Sequence, residues 1–347
     1  VHPFLFSVDE GATPRHDWEA ARFEWVDLSD MQRRVRTPAV PQLYEAFERV
    51  WPPWPWRQTL EANVELTCKW LRDDRQMGAG TLARAAAREL NKLIRLTDDQ
   101  PWADAMKLLC VAAERLRWVR PSMMSLVNLL SDATRALDQS DSARTAIDRI
   151  GRLIVQSEDA EVTVSRQMAA RIAPGSTLMT ISYSSTVLRA LLAAQANIVR
   201  VYICEGRPLM EGRQLAEHLH AEGVAVTLLT DAQAFVMMLQ VDGVLFGADA
   251  ILPDGSAVNK VGSAQLALAA RQCQKPVWVA ADRLKCAREG TDYHVELESQ
   301  PAAEVWPDAP GGIEVSNVYF DIVPADTITA IMSEEGPLGG STAGNRA

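Results

Sequence analysis

A chain of 347 residues is long for one folding unit, so two or three are expected. With 48% hydrophobic and 23% charged residues and a formal charge of −10, it has an ordinary globular composition and lacks the basic surplus of a non-specific nucleic-acid binder. No apolar run approaches the roughly 20 residues that cross a bilayer. The opening VHPFLFSVDEG has neither the basic start nor the small-residue cleavage site of a secretion signal. The expectation is a cytoplasmic protein without a direct nucleic-acid or membrane partner.

Residues 1–50 read as a short α+β appendage. HPFLFSV alternates like a strand, RFEWVDL looks like a second, and TPAVPQLYEAFERV places Leu43, Phe47 and Val50 at helical spacing. HPFLF, FEWV and TPAVPQLYEAFERV together resemble the C-terminal part of a Nudix hydrolase domain. The Nudix catalytic helix is missing: Arg88-Glu89-Leu90 continues as Asn-Lys-Leu, without the clustered glutamates. No pyrophosphohydrolase activity is expected. WPPWPWRQ (51–58) follows as a proline-rich boundary.

Residues 57–170 carry helical periodicity throughout. LEANVELTCKWL sets Leu60, Val64, Thr67 and Leu71 on one face, and four further segments from GAGTLARAAARELNKLI to ARTAIDRIGRLIVQ continue the pattern. A helical domain is expected. Met77-Gly78-Ala79-Gly80-Thr81 is a turn feeding a helix, where the amides of Gly78 and Ala79 are placed to face an anion or simply to start the helix.

Residues 171–336 change character. TLMTISYSSTVLRALLAA, VRVYICEGRPLMEGRQLAEHL, VAVTLLTDAQAFVMMLQ and GVLFGADAILPDGSAVNKVGS each pair a short apolar run with a polar turn or helix-like segment. That alternation predicts an α/β, Rossmann-like parallel sheet, in which ligands bind beyond the carboxyl ends of the strands. Ser182, Glu205, Arg207, Asp231 and Asp249 fall at those ends. KPVWVAA adds a strand, and NVYFDIVPADTITAIMSEEG reads as strand, turn and helix. The glycine-rich 337–347 reads as a disordered tail. Cys68, Cys110, Cys204, Cys273 and Cys286 form no C-x-x-C pair or zinc-type spacing, so no metal or cofactor is expected.

Three stretches suggest chemistry. The hydroxyls of TISYSSTV, including Ser182, Ser184 and Ser185, cap a helix or face a phosphate at its N-terminus. Arg207 offers a planar fork suited to phosphate. Asp249 is followed by Asn259 and Lys260, an acid and a cation fitting a sugar-phosphate site. The sequence resembles the family of the alpha, beta and delta subunits of translation initiation factor 2B, shared with methylthioribose-1-phosphate isomerase and ribose-1,5-bisphosphate isomerase. GAGTLARAAA, RPSMMSLVNLL, LMTISYSSTVLRALL, VYICEGRPLMEGRQLA, LLTDAQAF, GADAILPDGSAVNKVGS and FDIVPADTITAIMSEEG carry the resemblance, in family order.

The resemblance implies a helical domain before a Rossmann-like one, commonly dimerised through the latter, as a homodimer or with a related subunit. It implies Asp249 as acid–base group and Gly78, Ala79, Ser184, Ser185, Arg207, Asn259 and Lys260 as ligand-binding residues. Where the isomerases carry a catalytic cysteine, this chain has Ser182, and Glu211 replaces a usual glutamine. A serine needs a neighbouring base that a low-pKa thiol does not, and an acid at 211 would oppose a phosphate. The sequence therefore leans to a non-catalytic, factor-2B-like protein binding a phosphorylated sugar or nucleotide. The alternative is an aldose–ketose sugar-phosphate isomerase using Asp249 and Ser182.

Overall fold

A computed structural model describes residues 56–75, 77–288, 297 and 299–338. The appendage of residues 1–50 and residues 339–347 of the expected tail lie outside the described residues. The chain divides into two compact units, Val1–Leu60 and Glu61–Ala347, and the second contains both the helical and the sheet-forming stretches.

Five helices come first: α1 (Arg57–Asp73), α2 (Ala79–Arg95), α3 (Trp102–Arg117), α4 (Met124–Asp138) and α5 (Ala143–Ala169). Spacing of three and four residues makes the stripes that bury, such as Leu82, Ala86, Leu90 and Leu93 on α2. Each fully buried leucine contributes about 1.5–3 kcal/mol. α5 begins where Ser142 Oγ accepts the Thr145 amide, satisfying one of the free donors of a helix start.

The larger sheet then forms from β1 (Ser176–Ile181), β2 (Ile198–Cys204), β3 (Val226–Leu229), β4 (Gly243–Gly247), β7 (Val277–Ala280), β9 (Ala330–Ser333) and β10 (Gly336–Leu338). Its order is β3-β2-β1-β4-β7-β9-β10, parallel except for β10 against β9. The first six of these strands follow the 3-2-1-4-5-6 order of the doubly wound fold. β5 (Ala250–Ile251), β6 (Ala257–Lys260) and β8 (Phe320–Val323) make a small antiparallel sheet.

Period-two alternation sends Leu178 of β1 into one core and Met179 into the other. The first core holds α5 with α6 (Ser185–Ala193) and α7 (Gly212–Ala221), through Val164, Leu191 and Leu215. The second holds Phe246 of β4 against Leu266 of α9 (Ser263–Gln272), with Met238 just after α8 (Ala234–Met237). Among the described residues no helix is long and apolar enough to cross a membrane.

Two local expectations are corrected. TITAIMSEEG is a strand, not a helix: Ile331 and Met332 are buried, Val279 and Ala280 of β7 pair with them, and Thr329 Oγ1 accepts the Val277 amide. Parallel pairing inside the sheet overrides a segment that reads as helix by pattern alone. Pro337 and Leu338, assigned to the tail, belong to β10.

Candidate functional site

Strand order reverses between the parallel neighbours β1 and β4: β2 and β3 lie on one side of β1, while β7 and β9 lie beyond β4. The crevice at such a switch point is where doubly wound sheets bind ligands. A two-lobed cavity opens there, beyond the carboxyl ends of the strands. Gly78, Tyr183, Ser184, Gly247, Asp249 and Asn259 line both lobes.

Ser182 follows β1 in the left-handed conformation (φ 62°) and is nearly buried, its amide donating to the Cys204 carbonyl. A non-glycine residue there carries about 1–3 kcal/mol of strain that the surroundings must hold. Gly206 is the reason the turn after β2 fits beside it. Its φ is 73°, and a Cβ would lie 3.1 Å from both Cα and Cβ of Ser182. Asp231 locks that turn, its two carboxylate oxygens accepting the Gly206 and Arg207 amides at 2.8 Å each. The polar residue at the end of β3 is thus a support for the loop.

Ser184 caps α6, with its hydroxyl accepting the Val187 amide at 3.4 Å. Gly247 keeps this cap close, because a Cβ there would stand 2.7 Å from Ser184 Oγ. Asn259 lines both lobes and donates from Nδ2 to Ser263 Oγ at 2.8 Å.

Asp249 follows β4, between the lobes. Its amide donates to the Val258 carbonyl and its own carbonyl accepts from Met124, so backbone on both sides fixes it. The residue is half-buried because the cavity opens onto it. Burial within the protein nevertheless pushes its pKa up to about 6, against the pull of Lys285, Arg120 and Lys260 and with a push from Glu211. Such a carboxyl exchanges protons near neutrality.

The lobe towards the end of β2 is cross-tied. Lys260 Nζ meets Glu211 Oε1 at 2.7 Å and sits 4.9 Å from the Tyr319 ring centroid. The Tyr319 hydroxyl donates to Glu304 Oε2 at 2.5 Å, and Glu304 also pairs with Arg75. Glu211 Oε2 is buried and has no hydrogen-bond partner among the described residues.

The other lobe is bounded by the starts of α2 and α6 and by Lys285, just after β7. Gly78 is the N-cap of α2 and makes no side-chain cap, so that helix start keeps free amides. Lys285 is 5% exposed, and among the described residues no carboxylate comes within ion-pair distance of it. Its nearest acids are otherwise engaged. Glu161 pairs with Arg84 at 2.8 Å and Arg189 at 3.2 Å, while burial shifts Asp282 towards its neutral form.

Most sequence-nominated residues therefore meet at one place: Ser182, Asp249, Gly78, Ala79, Ser184, Ser185, Asn259 and Lys260 all line the cavity. Arg207 does not. It is exposed and donates to the Val305 carbonyl at 3.1 Å, because the Asp231-held turn directs residue 207 away from the crevice. Lys260 is present but committed to Glu211. Lys285 and Arg120 were missed. The strand-end rule applied to KPVWVAADRLK would have found Lys285, since β7 runs parallel to β4 and ends on the same edge. Cys204 is buried, with its thiol pushed up to about 12 by burial and the nearby acids Asp231 and Glu205. Among the described residues no group of three or more His, Cys, Asp or Glu is arranged to hold a metal ion.

The sheet order and crevice define a doubly wound α/β protein with a polar cavity at its switch point. The chain belongs to the Initiation factor 2 subunit family, whose pattern matches residues 75–339. It is 34% identical over 275 residues to a ribose 1,5-bisphosphate isomerase of Haloferax volcanii, covering 75% of this chain and 83% of that protein. It also resembles the solved structure of the translation initiation factor eIF-2B of Pyrococcus horikoshii OT3. There the TM-score is 0.67 at 28% identity, over 79% of this chain and 96% of the other. The 5-methylthioribose 1-phosphate isomerase of Pyrococcus horikoshii OT3 has the same fold, with a TM-score of 0.66 at 21% identity over 80% of this chain and 84% of the other.

Proposed function

We propose that this chain is an aldose–ketose isomerase acting on a phosphorylated sugar, the alternative left open by the sequence. The observation that carries it is Asp249, whose carboxyl is raised to about 6 and faces the cavity at the switch point. Isomerisation moves a proton between neighbouring carbons. Ring opening breaks the bond from C1 to the ring oxygen, which takes up a proton. A carboxylate titrating near neutrality removes the proton from C2, leaving an enol whose C1 oxygen bears the phosphate. A proton delivered to C1 as the C2 hydroxyl loses its own gives the ketose. Ser182 donates its hydroxyl to the substrate oxygen that gains charge, a task that needs no deprotonated side chain. Lys285, with the free amides starting α2 and α6, holds the phosphate. The relatives named ribose 1,5-bisphosphate isomerase support this reading over the non-catalytic one.

Ketose formation from ribose 1,5-bisphosphate and methylthioribose 1-phosphate tests it in the native chain, Asp249→Asn and Ser182→Cys. Turnover by the native chain should disappear in Asp249→Asn, and Ser182→Cys should be faster. A second reading, ligand binding without turnover, is favoured by Ser182 standing where the isomerases have cysteine. A ligand-raised melting temperature with no ketose from the native chain would select it.

A homodimer through the sheet region is part of the same proposal. Phe235, Val236, Leu239 and Leu268 expose apolar surface on α8, the turn after it and α9, the kind of face that subunits cover. Light scattering that reports only monomer at micromolar concentration would remove that element.

A further inference from the structure

The formal charges lining the lobe that holds Glu211 cancel. Its cations are Arg75, Arg120 and Lys260, and its acids are Asp74, Glu211 and Asp249, three against three among the described residues. Lys260 is 2.7 Å from Glu211, Arg75 pairs with Glu304, and Arg120 donates to the Asp74 carbonyl at 3.1 Å. What this lobe does offer is an acceptor. Glu211 Oε1 is taken by Lys260, but Oε2 is buried without a partner among the described residues. A buried carboxylate oxygen left in that state favours an incoming hydroxyl donor. A second phosphate would bring about two more negative charges beside Glu211 and Asp249, and like charges in contact are strongly disfavoured.

Resting on the isomerase reading, we propose that Glu211 makes this cleft selective for a sugar with a single phosphate, whose hydroxyl-bearing end donates to Glu211 Oε2. The phosphate occupies the Lys285 lobe, where a nearly buried ammonium lacks an ion-pair partner among the described residues and two helix starts converge. Selectivity for one phosphate is then set by an acid–cation pair that neutralises the far lobe in advance. Glutamine at 211 would leave Lys260 without its carboxylate and the lobe net positive.

Isothermal titration calorimetry of the full chain tests this with ribose 1-phosphate, ribose 5-phosphate and ribose 1,5-bisphosphate. The proteins are the native chain, Glu211→Gln and Lys285→Ala. At least one monophosphate should bind the native chain about tenfold more tightly than the bisphosphate. Glu211→Gln, nearly isosteric, should shift that ratio by about tenfold or more towards the bisphosphate. Lys285→Ala should weaken whichever ligands bind the native chain. A bisphosphate preference in the native chain, or a ratio unmoved by Glu211→Gln, overturns the selectivity while leaving the isomerase reading standing. If none of the three binds the native chain or Glu211→Gln, the selectivity falls, and the isomerase reading is decided separately by ketose formation from methylthioribose 1-phosphate.

Discussion

The two lobes of the cavity share one wall and differ in how their lysines are used. Lys260 and Lys285 are both nearly buried, both near Asp249, and both at the ends of strand-led segments. Lys260 is bonded to Glu211 and lies over Tyr319, whereas Lys285 has no ion-pair partner among the described residues. Two buried cations of the same type thus have different capacities for an anion. The difference comes from their neighbours: Lys260 meets a carboxylate in direct contact, whereas Lys285 feels Asp249, Glu161 and Asp282 only beyond ion-pair distance.

The strongest way to probe the contrast is to remove the group between the lobes. Asp249→Asn should lower ketose formation by about 10²–10⁴-fold, the usual weight of a positioned acid–base group. The same change should stabilise the fold at neutral pH. Asp249 has a folded pKa raised above its unfolded value, so its favourable contribution is full below pH ~4 and is lost as pH rises through about 6. A melting temperature higher than native at pH 7, with the gain gone near pH 4, is expected. Asp321, also pushed up to about 6 by burial, is common to both proteins and cancels in that difference.

Next in size is the uncommitted cation. Lys285→Ala should weaken binding of a phosphorylated sugar about tenfold to a hundredfold, as the loss of a charge-assisted contact implies. An unchanged dissociation constant would move the phosphate out of that lobe. A smaller effect, on stability, is expected at Asp231. Asp231→Ala strands the Gly206 and Arg207 amides and should cost about 1–3 kcal/mol, read as a lower urea midpoint at an unchanged m-value. Smallest of all is Arg207→Ala. With its guanidinium outside the cavity, this change should alter sugar-phosphate affinity by less than about twofold, within the range of an exposed side chain.

Much of this arrangement was legible in the sequence. Apolar runs ending in Ser182, Glu205 and Asp249 give β1, β2 and β4, because local alternation and strand-end polarity are short-range signals. The small sheet was not foreseen. β6 is four residues long and pairs with β8 across about sixty intervening residues, a long-range relation that no window reveals. For the same reason the buried strand that Asn259 and Lys260 end was not read, although the helix that follows them, α9, does begin three residues after Lys260. Arg207 was misplaced because a basic residue after a strand looks alike whether its turn points inward or outward. What directs it outward is Asp231, on the next strand–turn unit. The Glu211–Lys260 pair was equally hidden: the acid was read as opposing a phosphate, but nothing local points to the lysine 49 positions away that pairs with it.

Ser182 and Gly206 also shape what this protein can become. The left-handed serine leaves no room for a side chain on the neighbouring turn, and that turn in turn sets the floor under the serine. Position 182 can exchange hydroxyl for thiol with its backbone unchanged, while position 206 cannot gain even a methyl group unless 182 moves first. Mutational paths through this site are therefore unequal: exchange of hydroxyl for thiol at the strand end keeps the Cα and Cβ that crowd position 206, so the glycine beside it is held whichever of the two occupies 182.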